Sequence, residues 1–361
     1  MHIGLMIYGQ LSNLSGGYIY DRQLVEYLTS QGDEVQVISM PWHDYPVRVA
    51  DNLNFKLVNQ LRAMKLDVLL QDELNHPSLF LLNRLIRKEI AYPIVSIVHH
   101  LRSNEIHSTV EHWVYTLVEQ AYLNSVDAFI FNSRTTSIAV QTMTGKLSKH
   151  VIAYPGGDRL GKGMRLAEIS QRSQSPGPIR LVFLGNLIPR KGLHTLLAAV
   201  SSIKETNWTL EVIGRLDADP LYAAEMQNLS KSLGITKRVL FRGQLNDAEV
   251  IETLHNSHLM IVPSSYEGFG IIYLEAMGFG VIPVATTAGA ASEIIQHGEN
   301  GYLMQPDNQG ALASLIENLA ENRARLEQVG VAARQHFSEF PTWQESAKKI
   351  REFLLELCAE D

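Results

Sequence analysis

The sequence predicts an α/β protein made of two doubly wound domains, each a parallel β-sheet covered by helices. Short apolar runs alternate with amphipathic stretches, and this alternation stops once and then starts again. The chain of 361 residues is also too long for one ordinary hydrophobic core. Ligands of such sheets bind beyond the carboxyl ends of the strands, so we expect the functional site in a cleft between the domains.

The boundaries follow from this alternation. Residues 156–178 are polar and begin and end in turn-forming residues, which is typical of a linker. We therefore predict an N-terminal domain at 1–158, a linker at 159–178, a C-terminal domain at 179–340 and a last helix at 341–361. That helix carries an apolar stripe, which we expect to pack back on the N-terminal domain. The predicted strands are HIGLMIY, EVQVIS, DVLLQ, PIVSIV, DAFIF and HVIAY, then IRLVFL, TLEVI, RVLFR, HLMIV and VIPVA.

Composition excludes several classes of protein. The net charge of -7 argues against a nucleic-acid binder, and a single cysteine, Cys358, allows no intrachain disulfide. No run approaches the ~18 apolar residues of a membrane span. We expect a cytoplasmic protein, at most peripheral at the inner membrane surface. Residues 78–90 are basic and amphipathic and are one candidate for such contact, although helices that cover a sheet show the same pattern.

Two carboxylates flank a glycine-rich turn in the stretch PSSYEGFGIIYLEAMGFGVIPVA, residues 263–285. Glu267 lies in the predicted loop, and Glu275 lies eight positions later inside the predicted helix. Eight helical positions span ~12 Å. A nucleophile and acid of a retaining glycosidase are only about 5–5.5 Å apart. The pair is therefore too widely spaced for acid/base work on one atom, but it suits two clamps on an elongated ligand.

The start of this helix is a candidate anion site between the two carboxylates. The N–H groups of Gly268, Phe269, Gly270 and Ile271 and the helix dipole favour a bound diphosphate. Glycine lets a ligand approach the backbone closely. On composition alone, a plain strand–helix connection with two solvated glutamates remains open.

The stretch resembles the E-x7-E region of retaining glycosyltransferases of family GT4 (glycosyl transferases group 1). This family has the GT-B fold, in which two Rossmann-like domains face a cleft and a C-terminal helix crosses back to the N-terminal domain. Other segments resemble the family in the same order and together span nearly the whole chain. They are SGGYIYDRQLVEYLTSQGDEVQVIS, PIVSIVHH, DAFIFNS, VIAYPGGD, FLGNLIPRKGL and HGENGYLMQPDN.

The resemblance implies roles for residues of the C-terminal domain. Glu267 would hydrogen-bond the donor sugar near the reacting carbon, and Glu275 would bind the ribose hydroxyls. The amides of 268–271 would hold the sugar and the diphosphate. Lys191 would neutralise the leaving diphosphate, on which negative charge accumulates as the glycosidic bond breaks.

In the N-terminal domain, the resemblance implies that the amides of Gly16 and Gly17 contact the donor from the opposite side. His99 would lie near the donor sugar and the acceptor. Its neighbour His100 points the other way, because adjacent strand residues face opposite sides of a sheet.

One position departs from the family pattern. The family usually has arginine after the glycine of the phosphate loop, whereas Gly185 is followed here by Asn186. An asparagine amide donates hydrogen bonds but carries no charge, so one phosphate clamp is lost. Arg190 either replaces it in part or points to solvent. Asn186 and Arg190 are both candidate donor-binding residues.

The implied function is transfer of a sugar from a nucleoside-diphosphate sugar, UDP- or GDP-linked, to a hydroxyl of a glycan, lipid or small molecule. No metal-binding motif is present in the sequence, so we expect a metal-independent enzyme without a cofactor. Two alternatives stay open. One is a nucleotide-sugar 2-epimerase-like enzyme of the same architecture, and the other is a non-catalytic GT-B partner subunit, which Asn186 keeps open.

Overall fold

The computed structural model describes residues 1–13, 15–105 and 107–359. It separates into two compact units. The N-terminal unit consists of Met1–Pro155 and Pro341–Asp361, and the C-terminal unit consists of Gly156–Phe340.

The N-terminal unit is built on a parallel sheet. Its strands are β1 (His2–Tyr8), β2 (Glu34–Met40), β3 (Val68–Asp72), β4 (Ile94–Val98), β5 (Ala128–Phe131) and β6 (Lys149–Ile152). Across the sheet they follow the order β2-β1-β3-β4-β5-β6. Every residue of β3, β4 and β5 is buried, because helices cover both faces of the sheet. The runs predicted as strands in this half of the sequence all form strands of this sheet.

Helices connect these strands. They are α1 (Gly16–Ser30), α2 (Tyr45–Ala50), α3 (Phe55–Ala63), α4 (His76–Leu79), α5 (Leu82–Ile86), α6 (Thr109–Leu123) and α7 (Arg134–Thr144). Helix α6 begins at a capping box, in which the Ser108 hydroxyl and the Glu111 carboxylate satisfy each other's backbone N–H groups.

The basic stretch 78–90 does not form one amphipathic helix. It contains the end of α4 and the short helix α5. Its arginines have protein partners, since Arg84 donates to the Ala121 carbonyl and Arg87 pairs with Asp127 at 3.1 Å. The prediction of one amphipathic helix over this stretch was therefore wrong, and peripheral membrane contact of the protein stays a prediction. In the described part of the chain, no helix combines the length and the apolarity needed to cross a bilayer.

The C-terminal unit repeats the arrangement. Its strands are β7 (Ile179–Leu184), β8 (Trp208–Ile213), β9 (Val239–Gly243), β10 (Leu259–Ile261), β11 (Ile282–Thr286) and β12 (Tyr302–Met304). They form a parallel sheet in the order β12-β11-β10-β7-β8-β9. Its helices are α8 (Leu166–Gln174), α9 (Leu193–Ser202), α10 (Pro220–Ser232), α11 (Asp247–Asn256), α12 (Ile271–Gly278), α13 (Gln309–Glu321) and α14 (Arg323–Phe337).

Helix α8 lies inside the predicted linker, 159–178, and belongs to the C-terminal unit. The linker prediction missed it because its buried face includes polar side chains. Arg172 is buried and donates to the carbonyl of Gly280 at 2.8 Å and to that of Leu254 at 3.2 Å. The sequence alone does not distinguish a buried arginine that is bonded to carbonyls from a solvent-exposed arginine.

The last helix, α15 (Trp343–Ala359), belongs to the N-terminal unit, as predicted. Its apolar stripe is buried, and the Trp343 ring lies 5.8 Å from the ring of Tyr20 in α1. Lys349 donates to the Ile152 carbonyl at 2.8 Å, and Arg351 binds Asp33 at 2.7 Å. Apolar packing and polar anchors together fix the helix on this unit.

Candidate functional site

The loop between β10 and α12 places Glu267 by backbone contacts. The Glu267 N–H donates to the Ala288 carbonyl at 3.2 Å, and the Ala290 N–H donates to the Glu267 carbonyl at 2.9 Å. Gly289 allows this pairing, since a Cβ there would lie 2.1 Å from the Glu267 carbonyl oxygen. A β-bridge between Glu267 and Gly289 therefore fixes the direction of the acidic side chain.

Glu267 forms an ion pair with Lys191. The Lys191 Nζ lies 2.6 Å from Oε2 of Glu267, and each side chain is 13% exposed. The Ser264 hydroxyl donates to the same oxygen at 3.3 Å. The resemblance gave these residues separate roles on the sugar and on the diphosphate. The structure brings them into direct contact, so that a cation and an anion lie side by side.

A tight turn presents Lys191. It ends the 3-10 turn Pro189–Lys191, and Gly192 follows with a φ of 70°. A Cβ on Gly192 would lie 2.2 Å from the Pro263 carbonyl oxygen. The close approach of these two loops therefore needs glycine, and it joins the Lys191 loop to the Glu267 loop.

Arg190 strengthens the same junction. Its guanidinium donates to the Tyr266 carbonyl at 2.7 Å, and its own carbonyl accepts from the Ser265 N–H at 2.8 Å. The residue is half-buried, so the alternative in which it simply points to solvent was wrong. Asn186 is also half-buried, directly after β7. Contact of either side chain with a phosphate stays a prediction.

Helix α12 begins where the sequence predicts. Gly270 has a φ of 94°, and a Cβ there would lie 2.4 Å from the Tyr273 ring, so this position requires glycine. The N–H groups of Gly270 and Ile271 donate to no acceptor in the described residues. Gly268 and Phe269 precede them, and both are buried. The backbone thus offers donors at the positive end of the helix dipole.

Glu275 lies one turn into α12 and is 2% exposed. Arg159, in the 3-10 turn Asp158–Leu160, donates from Nε to Oε1 of Glu275 at 2.7 Å. The same guanidinium binds Asp247, at the start of α11, at 2.5 Å. Burial raises the pKa of Glu275 above its ordinary value, and the Arg159 charge opposes this rise. The sequence analysis missed Arg159, which has no spacing relation to Glu275.

In the N-terminal unit, His99 lies against the start of α1. Its Nε2 is 3.3 Å from Oδ1 of the fully buried Asp21, and its ring packs on Tyr20 with centroids 5.2 Å apart. A Cβ on Gly17 would lie 3.0 Å from the His99 ring. Gly16 is the first residue of α1. The structure therefore places Gly17 against His99, with Gly16 next to it in α1, and contact of these residues with a donor stays a prediction.

Charges around His99 favour its imidazolium form. Burial, the largest single effect, disfavours that form, but the hydrogen bond to Asp21 and the charges of Asp21, Asp72 and Glu73 together outweigh it and raise the pKa of His99. Burial also raises the pKa of Asp72, to about 6, and the neighbouring Asp21 adds to this rise. The charge of Asp21 therefore acts on both His99 and Asp72.

An Asp21→Asn variant is expected to lower the pKa of His99, because the amide keeps a hydrogen-bonding group but removes the negative charge. His99 would then lose its proton at a lower pH than in the wild-type protein. An NMR titration of the His99 imidazole signals measures this directly. Glu105→Gln is the control, since Glu105 contacts His100 rather than His99. An unchanged His99 titration in Asp21→Asn would show that Asp21 does not set its charge.

A second buried cluster lies nearby in sequence. Burial raises the pKa of Glu73 to about 8 and lowers that of His76 to about 4. Glu119 accepts from the N–H groups of Arg102 and Ser103, at 2.5 and 3.1 Å. Among the described residues, the ligand atoms of Glu73, His76 and Glu119 lie within 4.8 Å of one another, as do those of the His99 cluster. Metal independence therefore stays a prediction.

Residues 167–336 match the family described as "Glycosyl transferases group 1". This segment, just under half of the chain, is similar to the group 1 glycosyl transferases. The matched segment contains Lys191, Glu267 and Glu275, whereas Arg159 precedes it. The family of the sequence-based prediction is thereby confirmed.

Curated relatives align with this chain over only part of their own length. The chain is similar to glycogen synthase of Mycobacterium tuberculosis, at 28% identity over 175 residues, 48% of this chain and 41% of the relative. It is also similar to a D-inositol 3-phosphate glycosyltransferase of Rhodococcus erythropolis, at 26% identity over 65% of this chain and 54% of the relative. The chain thus spans about half the length of the curated relatives it matches.

Solved structures establish the fold of the chain. The sucrose-phosphate synthase of Thermosynechococcus elongatus has a TM-score of 0.84 at 20% identity, with 100% of both chains covered. Anabaena Alr3699/HepE, solved in complex with UDP and glucose, has a TM-score of 0.77 at 21% identity, with 98% of this chain and 100% of that chain covered. The fold is GT-B, with two Rossmann-like units.

Proposed function

We propose that the protein transfers a sugar from a nucleoside-diphosphate sugar to an acceptor hydroxyl, with retention of anomeric configuration. One observation carries the proposal. The Lys191–Glu267 pair lies at the loop that leads into α12, and Glu275 lies one turn inside the helix. At the start of the helix, the N–H groups of Gly270 and Ile271 donate to no acceptor among the described residues. This order of cation, amides and carboxylate suits a diphosphate with a sugar at one end and a ribose at the other.

Lys191 is the group that would stabilise the leaving diphosphate. Charge develops on the phosphate oxygens as the bond to the sugar breaks, and a fixed cation is most effective where that charge appears. Its ion pair with Glu267 keeps the ammonium in place before the donor binds. Glu267 would then accept hydrogen bonds from the sugar.

Retention is proposed without a covalent intermediate. Glu267 is paired with the Lys191 ammonium, and an ammonium cannot act as the second, nucleophilic carboxylate that a covalent mechanism would use. The acceptor would attack from the face that the diphosphate leaves, and the departing phosphate would take the acceptor's proton. The roles of Gly16, Gly17 and His99 at the donor sugar, the absence of a cofactor and a cytoplasmic location stay predictions.

Nucleoside diphosphates are expected to raise the melting temperature of the wild-type protein, because a ligand that binds only the folded state stabilises it. At a concentration 100 times Kd the stabilisation is about 2.7 kcal/mol. Thermal-shift measurements with UDP, GDP and ADP test this. Glu275→Gln should show a smaller shift with the same nucleotide. A wild-type protein that none of the three stabilises would contradict the proposal.

A transfer assay with pooled nucleotide sugars and hydroxyl acceptors then tests the reaction itself. The expected result is an acceptor-dependent release of nucleoside diphosphate together with a glycosylated product. Release or sugar isomerisation without an acceptor would instead favour the epimerase-like alternative. Binding without any turnover would favour the partner-subunit alternative.

A further inference from the structure

We propose that Arg159 is a positioning residue for Glu275, and that it thereby sets how strongly the site prefers ribose to deoxyribose in the bound nucleotide. The inference rests on the proposed function, because it takes the nucleotide to lie over the start of α12. Arg159 lies outside the segment that matches the family.

The guanidinium is held between two carboxylates of different exposure. Its Nε binds the buried Glu275 at 2.7 Å, and its second nitrogen binds Asp247, whose side chain is 64% exposed, at 2.5 Å. A planar guanidinium bonded at two of its edges has little rotational freedom. Three elements, the Asp158–Leu160 turn, α11 and α12, are thereby joined through one side chain.

Glu275 needs such a partner. It is 2% exposed, and its neighbours in α12, Leu274, Ala276 and Met277, are buried apolar residues. A buried carboxylate without a cation tends to take up a proton. Protonation would remove an acceptor, and ribose hydroxyls need acceptors. Arg159 therefore favours the form of Glu275 that can bind ribose.

Only one oxygen of the Glu275 carboxylate is used by Arg159. In the described residues Arg159 is the hydrogen-bond donor to Glu275, and it binds Oε1 alone. The other oxygen, Oε2, is left for a ligand hydroxyl. Because Oε1 is fixed, the direction of Oε2 is fixed as well.

The experiment measures the affinity of UDP, dUDP, GDP and dGDP for the wild-type protein, Arg159→Met and Arg159→Lys. The nucleotide that binds the wild-type protein is expected to lose about tenfold or more in affinity when its 2′-hydroxyl is removed. In Arg159→Met this preference should fall towards onefold. Arg159→Lys keeps a charge without the planar geometry and should give an intermediate ratio. Arg165→Met, an exposed arginine of the same unit paired with Glu168, is the matched control and should keep the wild-type ratio.

Two further readouts separate positioning from a purely structural role. The charged groups facing Glu275 are Arg159 and Asp247. Without Arg159, Glu275 should take up a proton at a higher pH, so nucleotide binding by Arg159→Met should weaken with falling pH earlier than in the wild-type protein. In a Glu275→Gln background, Arg159→Met should cause no further loss of ribose preference.

The outcomes are distinguishable. A wild-type protein that binds none of the four nucleotides contradicts the proposed function. A wild-type protein that prefers the ribonucleotide, with the same preference retained in Arg159→Met and in Arg159→Lys, overturns the role of Arg159 alone.

Discussion

Replacing Lys191 with methionine is expected to lower the turnover of the nucleotide-sugar donor by about 10²–10³-fold, the usual cost of losing one group that stabilises developing negative charge. The Lys191 ammonium is fixed 2.6 Å from Glu267 before any ligand binds. Its charge therefore acts on the leaving diphosphate without reorganisation. The measurement is the release of nucleoside diphosphate under saturating donor, with kcat and donor affinity determined separately.

The design separates this effect from loss of stability. Lys191→Met leaves Glu267 without its cation, so its melting temperature must be measured alongside its activity. Lys191→Arg keeps the charge and should retain part of the activity. Lys231→Met, on the exposed surface of α10, removes a lysine from the same unit and should leave both quantities unchanged. Wild-type turnover in a folded Lys191→Met protein would refute the role given to the lysine.

Replacing Gly192 with alanine is expected to destabilise the C-terminal unit and abolish tight nucleotide binding. The backbone there has a φ of 70°, which costs a residue with a Cβ about 1–2 kcal/mol. The added Cβ would also lie 2.2 Å from the Pro263 carbonyl oxygen, and relieving such a clash costs about 1–3 kcal/mol more. Relief requires the Lys191 loop and the Glu267 loop to separate, which breaks the ion pair.

Gly234→Ala is a matched control. Gly234 has the same φ of 70°, but a Cβ there would meet no atom within 4 Å. Gly234→Ala should lose only the stability that the positive φ costs a residue with a Cβ, and it should bind nucleotide as the wild-type protein does. Thermal unfolding and the thermal shift with the bound nucleotide measure both effects. Equal behaviour of the two variants would mean that the contact between the loops does not organise the site.

Much of the fold could be predicted because it depends on local pattern. Strands such as β3 and β4 are buried at every residue, and their sequences, VLLQD and IVSIV, are mainly apolar. The last helix was recognised by its apolar stripe. Helix α8 was missed for the opposite reason, since the buried Arg172 satisfies its donors on carbonyls from distant parts of the chain.

The candidate site was likewise predictable in part. Glu267, Glu275 and the glycines before α12 could be found because they lie within one short stretch whose spacing limits their reach. The resemblance added Lys191, but neither spacing nor resemblance showed that it touches Glu267, 76 residues away. Likewise, Asp21 reaches His99 across 78 residues.

Local order along the chain thus established two α/β units, the helix that begins after a glycine-rich turn, and the acidic residues on either side of that start. The tertiary structure decided which charged side chains form ion pairs with each other. Lys191 meets Glu267 because the adjacent parallel strands β7 and β10 bring the loops at their carboxyl ends together, whatever their separation in sequence. Arg159 likewise meets Glu275 only through the tertiary structure, across 116 residues. Ion pairs depend on distances of a few ångström, and a one-dimensional pattern carries no information about them.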